Sequence, residues 1–123
     1  MYNNFMEKSF YNIAIYTNNS EITNYLKNYH DYIIIDSSYK IIGSYLAKSN
    51  NQELSFDYLI TDNKEVLETI GVIFDNGYAL TNSTFTTTIE NTYAFGDIVN
   101  SNKTILEQLQ IINDAINRVD GGS

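Results

Sequence analysis

The sequence predicts an α/β domain: a small mixed sheet with an N-terminal β-α-β unit, a β-meander and a C-terminal amphipathic helix. Three observations carry this. Residues 11–17 (YNIAIYT) alternate, with Ile13 and Ile15 on one face. Tyr32-Ile33-Ile34-Ile35 is a continuous apolar run, the pattern of a strand covered on both faces. Ile105, Leu109, Ile112 and Ile116 recur at i, i+4, i+7 and i+11, joined by Leu106 and Ala115.

Between the first two strands, Ile22, Tyr25, Leu26 and Tyr29 fall on one helical face, and Ser20 stands where an N-cap belongs. A helix between two apolar strands makes a parallel pair. Residues 39–47 and 54–60 are β-rich runs parted by the polar SNNQE, which reads as an antiparallel excursion. Asp62 and Glu65 form a D-x-x-E capping box for a short helix over 63–70, closed by Gly71 as C′ residue. Residues 72–74 and 78–80 flank Asp75-Asn76-Gly77, a hairpin signal. Thr92-Tyr93-Ala94-Phe95 is a further short strand, closed by Gly96-Asp97, and the last helix takes Ser101 or Asn102 as its cap. The 123 residues make one domain. The terminal Gly-Gly-Ser is left out of the fold.

Composition narrows the function. Seven basic residues against fifteen acidic ones leave a formal charge of −8, with a single arginine, Arg118. Phosphate-rich partners are bound by clustered Lys and Arg, so neither nucleic acid nor an anionic membrane surface is expected. No stretch approaches the roughly 20 apolar residues of a membrane span, and the first ten residues lack the plan of a secretory signal. A cytoplasmic protein is the expectation. There is no cysteine, which excludes a disulfide, a thiolate metal site and a redox-active pair within this chain.

The usual chemical motifs are absent too. The six glycines are scattered, with no G-x-G-x-x-G and no P-loop to bring backbone amides to a phosphate. His30 is the only imidazole and reads as a solvated loop residue; it has no partners for a relay or a metal site. Four aspartates, Asp36, Asp62, Asp75 and Asp97, stand at or just after the ends of apolar runs. Ligands of open α/β sheets bind at the carboxyl ends of strands, where an Asp can accept a hydrogen bond from a ribose or ribityl hydroxyl or bind Mg²⁺. Asp is equally a turn and cap residue, and Asp62 and Asp75 have such roles ready. A Mg²⁺ cluster of Asp36, Asp62 and Asp97 for phosphoryl chemistry would want a nearby Lys and acids paired closely in sequence, and neither is evident.

Asp97 differs because of its surroundings. Residues 77–98, GYALTNSTFTTTIENTYAFGDI, resemble the C-terminal signature of the thioredoxin-reductase-like, two-dinucleotide-binding flavoproteins: a G-Y-[IV] strand, a polar stretch, then T-S-x-P-G-[VI]-[FY]-A-x-G-D-[VI]. Gly77-Tyr78 matches the start, Thr87-Thr88-Ile89 the middle, and Tyr93-Ala94-Phe95-Gly96-Asp97-Ile98 the end; Glu90-Asn91 replaces the Pro-Gly. The resemblance implies that Gly96, Asp97 and Ile98 form a cofactor-binding turn. In it the Asp holds the ribityl hydroxyls of FAD and the Gly lets the backbone approach. The last helix is similar to the family's, with Gln108 at the position that lies near the flavin ring and Glu107 where the family has a basic residue. Residues 11–62 are similar in plan to the second half of the family's NAD(P)-binding domain, and residues 63–120 to the C-terminal segment of its FAD-binding domain. The basic 2′-phosphate motif falls on Tyr16-Thr17-Asn18-Asn19, where no cation is available.

Two functions follow from that resemblance and stay open. One is a flavoprotein fragment that contributes the ribityl-side part of an FAD site, completed by a second copy or by a partner that supplies the Gly-rich half. The other is a non-catalytic interaction or scaffold module derived from the same fold, without cofactor, whose faces left bare by the missing half are covered by a partner. No catalytic residue and no metal ligand is assigned.

Overall fold

A computed structural model describes residues 12–27 and 32–118 of the chain. Tyr29 and His30 lie outside the described residues. The elements run β1 (Ile13–Tyr16), α1 (Ser20–Lys27), β2 (Tyr32–Ile35), β3 (Lys40–Gly43), β4 (Leu46–Lys48), β5 (Glu53–Ser55), β6 (Tyr58–Thr61), α2 (Lys64–Thr69), β7 (Phe74–Asp75), β8 (Tyr78–Ala79), β9 (Thr92–Ala94), a 3₁₀ turn (Gly96–Ile98) and α3 (Ile105–Ile116).

Four strands form the central sheet, in the order β2-β1-β6-β9. Every pair in it is parallel. The predicted α/β class, the β-α-β opening, the meander and the C-terminal helix are all present. The antiparallel strands occupy sheets of their own, one of β3-β4-β5 and one of β7-β8. The two β-rich runs of the middle divide further than the sequence suggested. The first breaks at Gly43, where the register shifts, to give β3 and β4. The second breaks at Phe56-Asp57, so that β5 stays in the meander while β6 crosses to pair with β1.

Alternation along the central strands explains why both faces are covered. Ile13, Ile15, Tyr58, Ile60 and Tyr93 point to one core, packed against Ile22 of α1 and Leu109, Ile112 and Ile116 of α3. Ala14 and Leu59 point to the other, beneath the meander residues Ile41, Ala47 and Phe56. Each fully buried Leu, Ile or Phe contributes about 1.5–3 kcal/mol relative to exposure. These two layers therefore fix the sheet.

The turns follow from local chemistry. Asn76 (φ 54°) and Gly77 (φ 87°) form a two-residue loop of the I′ type, with Asp75 paired to Tyr78 as the last strand pair. Gly71 (φ 98°) closes α2 as expected: its N–H bonds to the Glu68 carbonyl, and the Val72 N–H reaches the Leu67 carbonyl.

The caps sit differently from expectation. Asn19, not Ser20, caps α1, its Oδ1 accepting from the Glu21 N–H at 3.0 Å. Asn63, not Asp62, caps α2, accepting from the Val66 N–H at 3.0 Å. Thr104, not Ser101 or Asn102, caps α3 in a reciprocal box with Glu107. Each shift has one cause: neighbouring polar residues offer the same oxygen, and packing of the helix decides which one meets the free amide. Thr104→Ala should lower stability by about 1 kcal/mol and Asn102→Ala by less than about 0.5 kcal/mol in urea unfolding. Equal losses would contradict the assignment.

Candidate functional site

Parallel strands bring their carboxyl ends to one rim. From β1 the chain first moves one way, to β2, whereas β6 and β9 lie on the opposite side of β1. The strand order thus reverses between β1 and β6, which is where open α/β sheets hold ligands. Asn19 after β1, Asp62 after β6, and Gly96, Asp97 and Ile98 after β9 meet at this rim. With Ile105 at the start of α3 they line a crevice of about 400 Å³.

Hydrogen bonds to backbone carbonyls hold the rim together. The Thr61 hydroxyl donates to the Tyr16 carbonyl at 2.7 Å, and the Phe95 N–H donates to the Thr61 carbonyl at 3.3 Å. Gly96 turns the chain into the crevice at φ 85°, a left-handed conformation that costs a residue with a Cβ about 1–2 kcal/mol. A Cβ there would also stand 3.4 Å from Asp62 Cβ, so glycine permits the close approach of the two loops. The Gly96 N–H, fully turned inward, donates to Gln108 Oε1 at 2.7 Å, and Gln108 Nε2 donates to the Lys103 carbonyl at 3.0 Å. Gln108 is buried, and both ends of its amide are engaged within the chain.

Asp97 is exposed, and it borders both this crevice and an adjoining cavity of about 310 Å³ lined in part by Tyr78, Lys103 and Gln108. Asp62 is half-buried, and its Oδ2 accepts from the Thr17 hydroxyl at 3.0 Å. Burial pushes the Asp62 carboxyl above its ordinary value; the Thr17 bond opposes the shift and the neighbouring Asp97 charge adds to it.

The structure gathers some predicted residues and separates others. Gly96, Asp97 and Ile98 lie together in the crevice, and Gln108 stands behind them as the support of Gly96. Glu107 serves the α3 cap. Asp36 folds onto its own turn, accepting from the Ser38 N–H and hydroxyl, which hold its carboxyl below the ordinary value. Asp75 belongs to the β7–β8 hairpin. Among the described residues no three His, Cys, Asp or Glu side chains could jointly hold a metal ion, so Asp36, Asp62 and Asp97 do not form the Mg²⁺ cluster weighed from the sequence. Asn91 (φ 62°) takes the left-handed position where the resemblance placed glycine. Sequence reasoning weighed Asp62 as a strand-end carboxylate but favoured a capping role for it, and it missed Asn19, whose signal is its place in the turn that follows β1.

No protein-family model and no curated protein matches the chain. Solved structures do. The chain is similar to a ferredoxin-flavin thioredoxin reductase from Clostridium acetobutylicum, at 17% identity over 91% of this chain and 52% of that one, with a TM-score of 0.32. It is similar to the HOCl-induced flavoprotein disulfide reductase RclA from Escherichia coli, at 18% identity over 79% of this chain and 26% of that one, with a TM-score of 0.39. A thioredoxin reductase from T. acidophilum is 19% identical over 85% of this chain and 45% of that one, with a TM-score of 0.32. The resemblance is to thioredoxin-reductase-like flavoproteins. The chain spans about half or less of the length of these structures.

FAD, the cofactor that the sequence resemblance of residues 77–98 implies, would fit this rim in part. On the ribityl side, Gly96 leaves room and Asp97 offers a carboxylate to hydroxyl groups. The phosphate side does not fit. The β1–α1 turn, Thr17-Asn18-Asn19, has no glycine; the Asn19 N–H bonds to the Thr17 hydroxyl, and the Glu21 N–H to the Asn19 side chain. Two amides of the turn are thus engaged within the chain, and the two carboxylates Asp62 and Asp97 stand beside it.

The raised Asp62 pKa carries a sign. The folded protein binds this proton more tightly than the unfolded chain, so ionised Asp62 subtracts from stability above its raised pKa, and the deficit is relieved as pH falls toward the ordinary 3.8. Asp62→Asn keeps an oxygen for the Thr17 hydroxyl without the charge. It should raise Tm at neutral pH, with the gain fading as pH drops through the raised pKa. A pH series of thermal melts checks this, and a lower Tm at neutral pH contradicts it.

Proposed function

We propose that the chain is a thioredoxin-reductase-like flavoprotein fragment that contributes the ribityl-side part of a flavin site. The observation that carries this reading is the Gly96-Asp97 turn: it has the family's motif in sequence, and it stands in the crevice where the strand order reverses. Asp97 accepts hydrogen bonds from ligand hydroxyls, Gly96 admits the ligand close to the backbone, and Gln108 holds Gly96 in place. Ile98 and Ile105 supply the apolar lining. The chain brings no dithiol of its own, so electron transfer to a disulfide would need a partner that has one.

The open side of the crevice is closed, in this reading, by a second copy or a partner chain. Ile73, Tyr78 and Leu80 on the β7–β8 hairpin are exposed, and Tyr78 borders the cavity shared by Gly96 and Asp97. The same exposed side chains favour a second reading, a non-catalytic interaction module of this fold that carries no cofactor.

The visible absorption spectrum of the purified protein separates the two. The first reading expects a flavin band that travels with the protein, or appears after incubation with riboflavin, FMN and FAD in turn, and that is lost in Asp97→Ala. A colourless protein that takes up none of the three leaves the interaction module.

A further inference from the structure

The crevice that Gly96 and Asp97 share with the β1–α1 turn is built against phosphate. Six residues line it: Asn19, Asp62, Gly96, Asp97, Ile98 and Ile105. Two are carboxylates and none is a cation. The lysine at this rim, Lys103, borders the neighbouring cavity instead.

Part of the backbone at the β1–α1 turn is already engaged. A phosphate at a helix N-terminus is held by free N–H groups and the positive end of the helix. Here the Asn19 side chain caps α1, and the Thr17 hydroxyl accepts from the Asn19 N–H while donating to Asp62. These groups are thus bonded to one another, and the charged side chains that line the crevice are both acidic. The hydroxyl-accepting half of the site is free by contrast, since Asp97 is exposed and no hydrogen bond ties it down among those of the described residues.

Resting on the reading of this rim as a flavin site, we propose that it selects the unphosphorylated ligand: a neutral, polyhydroxylated flavin such as riboflavin, in preference to FMN or FAD. Carboxylates accept hydrogen bonds from hydroxyl groups and repel phosphate, so the same two side chains that welcome the ribityl chain reject its phosphorylated forms. The chain's overall charge of −8 acts in the same direction at longer range.

Fluorescence titration of riboflavin, FMN and FAD with the full chain tests this. At low salt, riboflavin should bind at least about tenfold more tightly than FMN or FAD, as expected for a phosphate within several ångströms of a partly shielded carboxylate. Asp62→Asn should narrow the gap, and so should raising the salt concentration, which screens the repulsion without altering the fold. FMN or FAD binding as tightly as riboflavin would overturn the selectivity and leave the flavin reading standing. Failure of all three to bind would remove the flavin reading, and the selectivity with it.

Discussion

The hydrogen bond from the Gly96 N–H to Gln108 Oε1 is the constraint on which the rim depends. Gly96 follows β9 in a left-handed turn, outside the strand ladder, and its amide bonds to Gln108. Left unbonded, that buried N–H would cost about 1–3 kcal/mol. Gln108 removes the cost and, through its Nε2, fastens the Lys103 carbonyl that leads into α3. One side chain thereby ties the strand end, the connecting loop and the helix. The Thr104–Glu107 box then fixes where that helix begins, and Ile112 and Ile116 seat it on the sheet.

Given this brace, the character of the crevice follows from what surrounds it. The β1–α1 turn is stitched by Asn19 and Thr17, and the end of β6 brings Asp62 against the Gly96 backbone. Dinucleotide-binding folds use glycines at the equivalent of the first turn to expose amides to phosphate. This chain has no glycine at that turn, engages the Asn19 and Glu21 amides internally, and adds a half-buried acid. The outcome is a crevice whose polar groups match hydroxyls and amides.

Much of the fold was legible because period and burial coincide. Alternation in β1 and the apolar run of β2 reflect a sheet covered on both faces, and the stripe of α3 reflects the one face it buries. Asn76-Gly77 and Gly71 were legible because few residues adopt positive φ. The caps were displaced by one to three residues, since Asn19 and Ser20, or Asp62 and Asn63, carry interchangeable oxygens. The division of 54–60 between two sheets could not be read from pattern: β6 is assigned by its partner β1, more than forty residues earlier. Of the site, the Gly96-Asp97 turn was visible as a motif. Asp62 was visible only as one of four strand-end aspartates, because its hydrogen bond to Thr17, 45 residues away, cannot be read locally and a cap was the simpler explanation.

The central claim is that the β1–β6–β9 rim is the ligand-binding face. Amide chemical-shift mapping of the isotope-labelled chain during riboflavin addition tests it most directly. Shifts concentrated on Asn19, Asp62, Gly96, Asp97 and Ile98 are the predicted result. Shifts confined to the opposite end of the sheet, around the cavity lined by Asn12, Tyr45, Asp57 and Glu90, would contradict it.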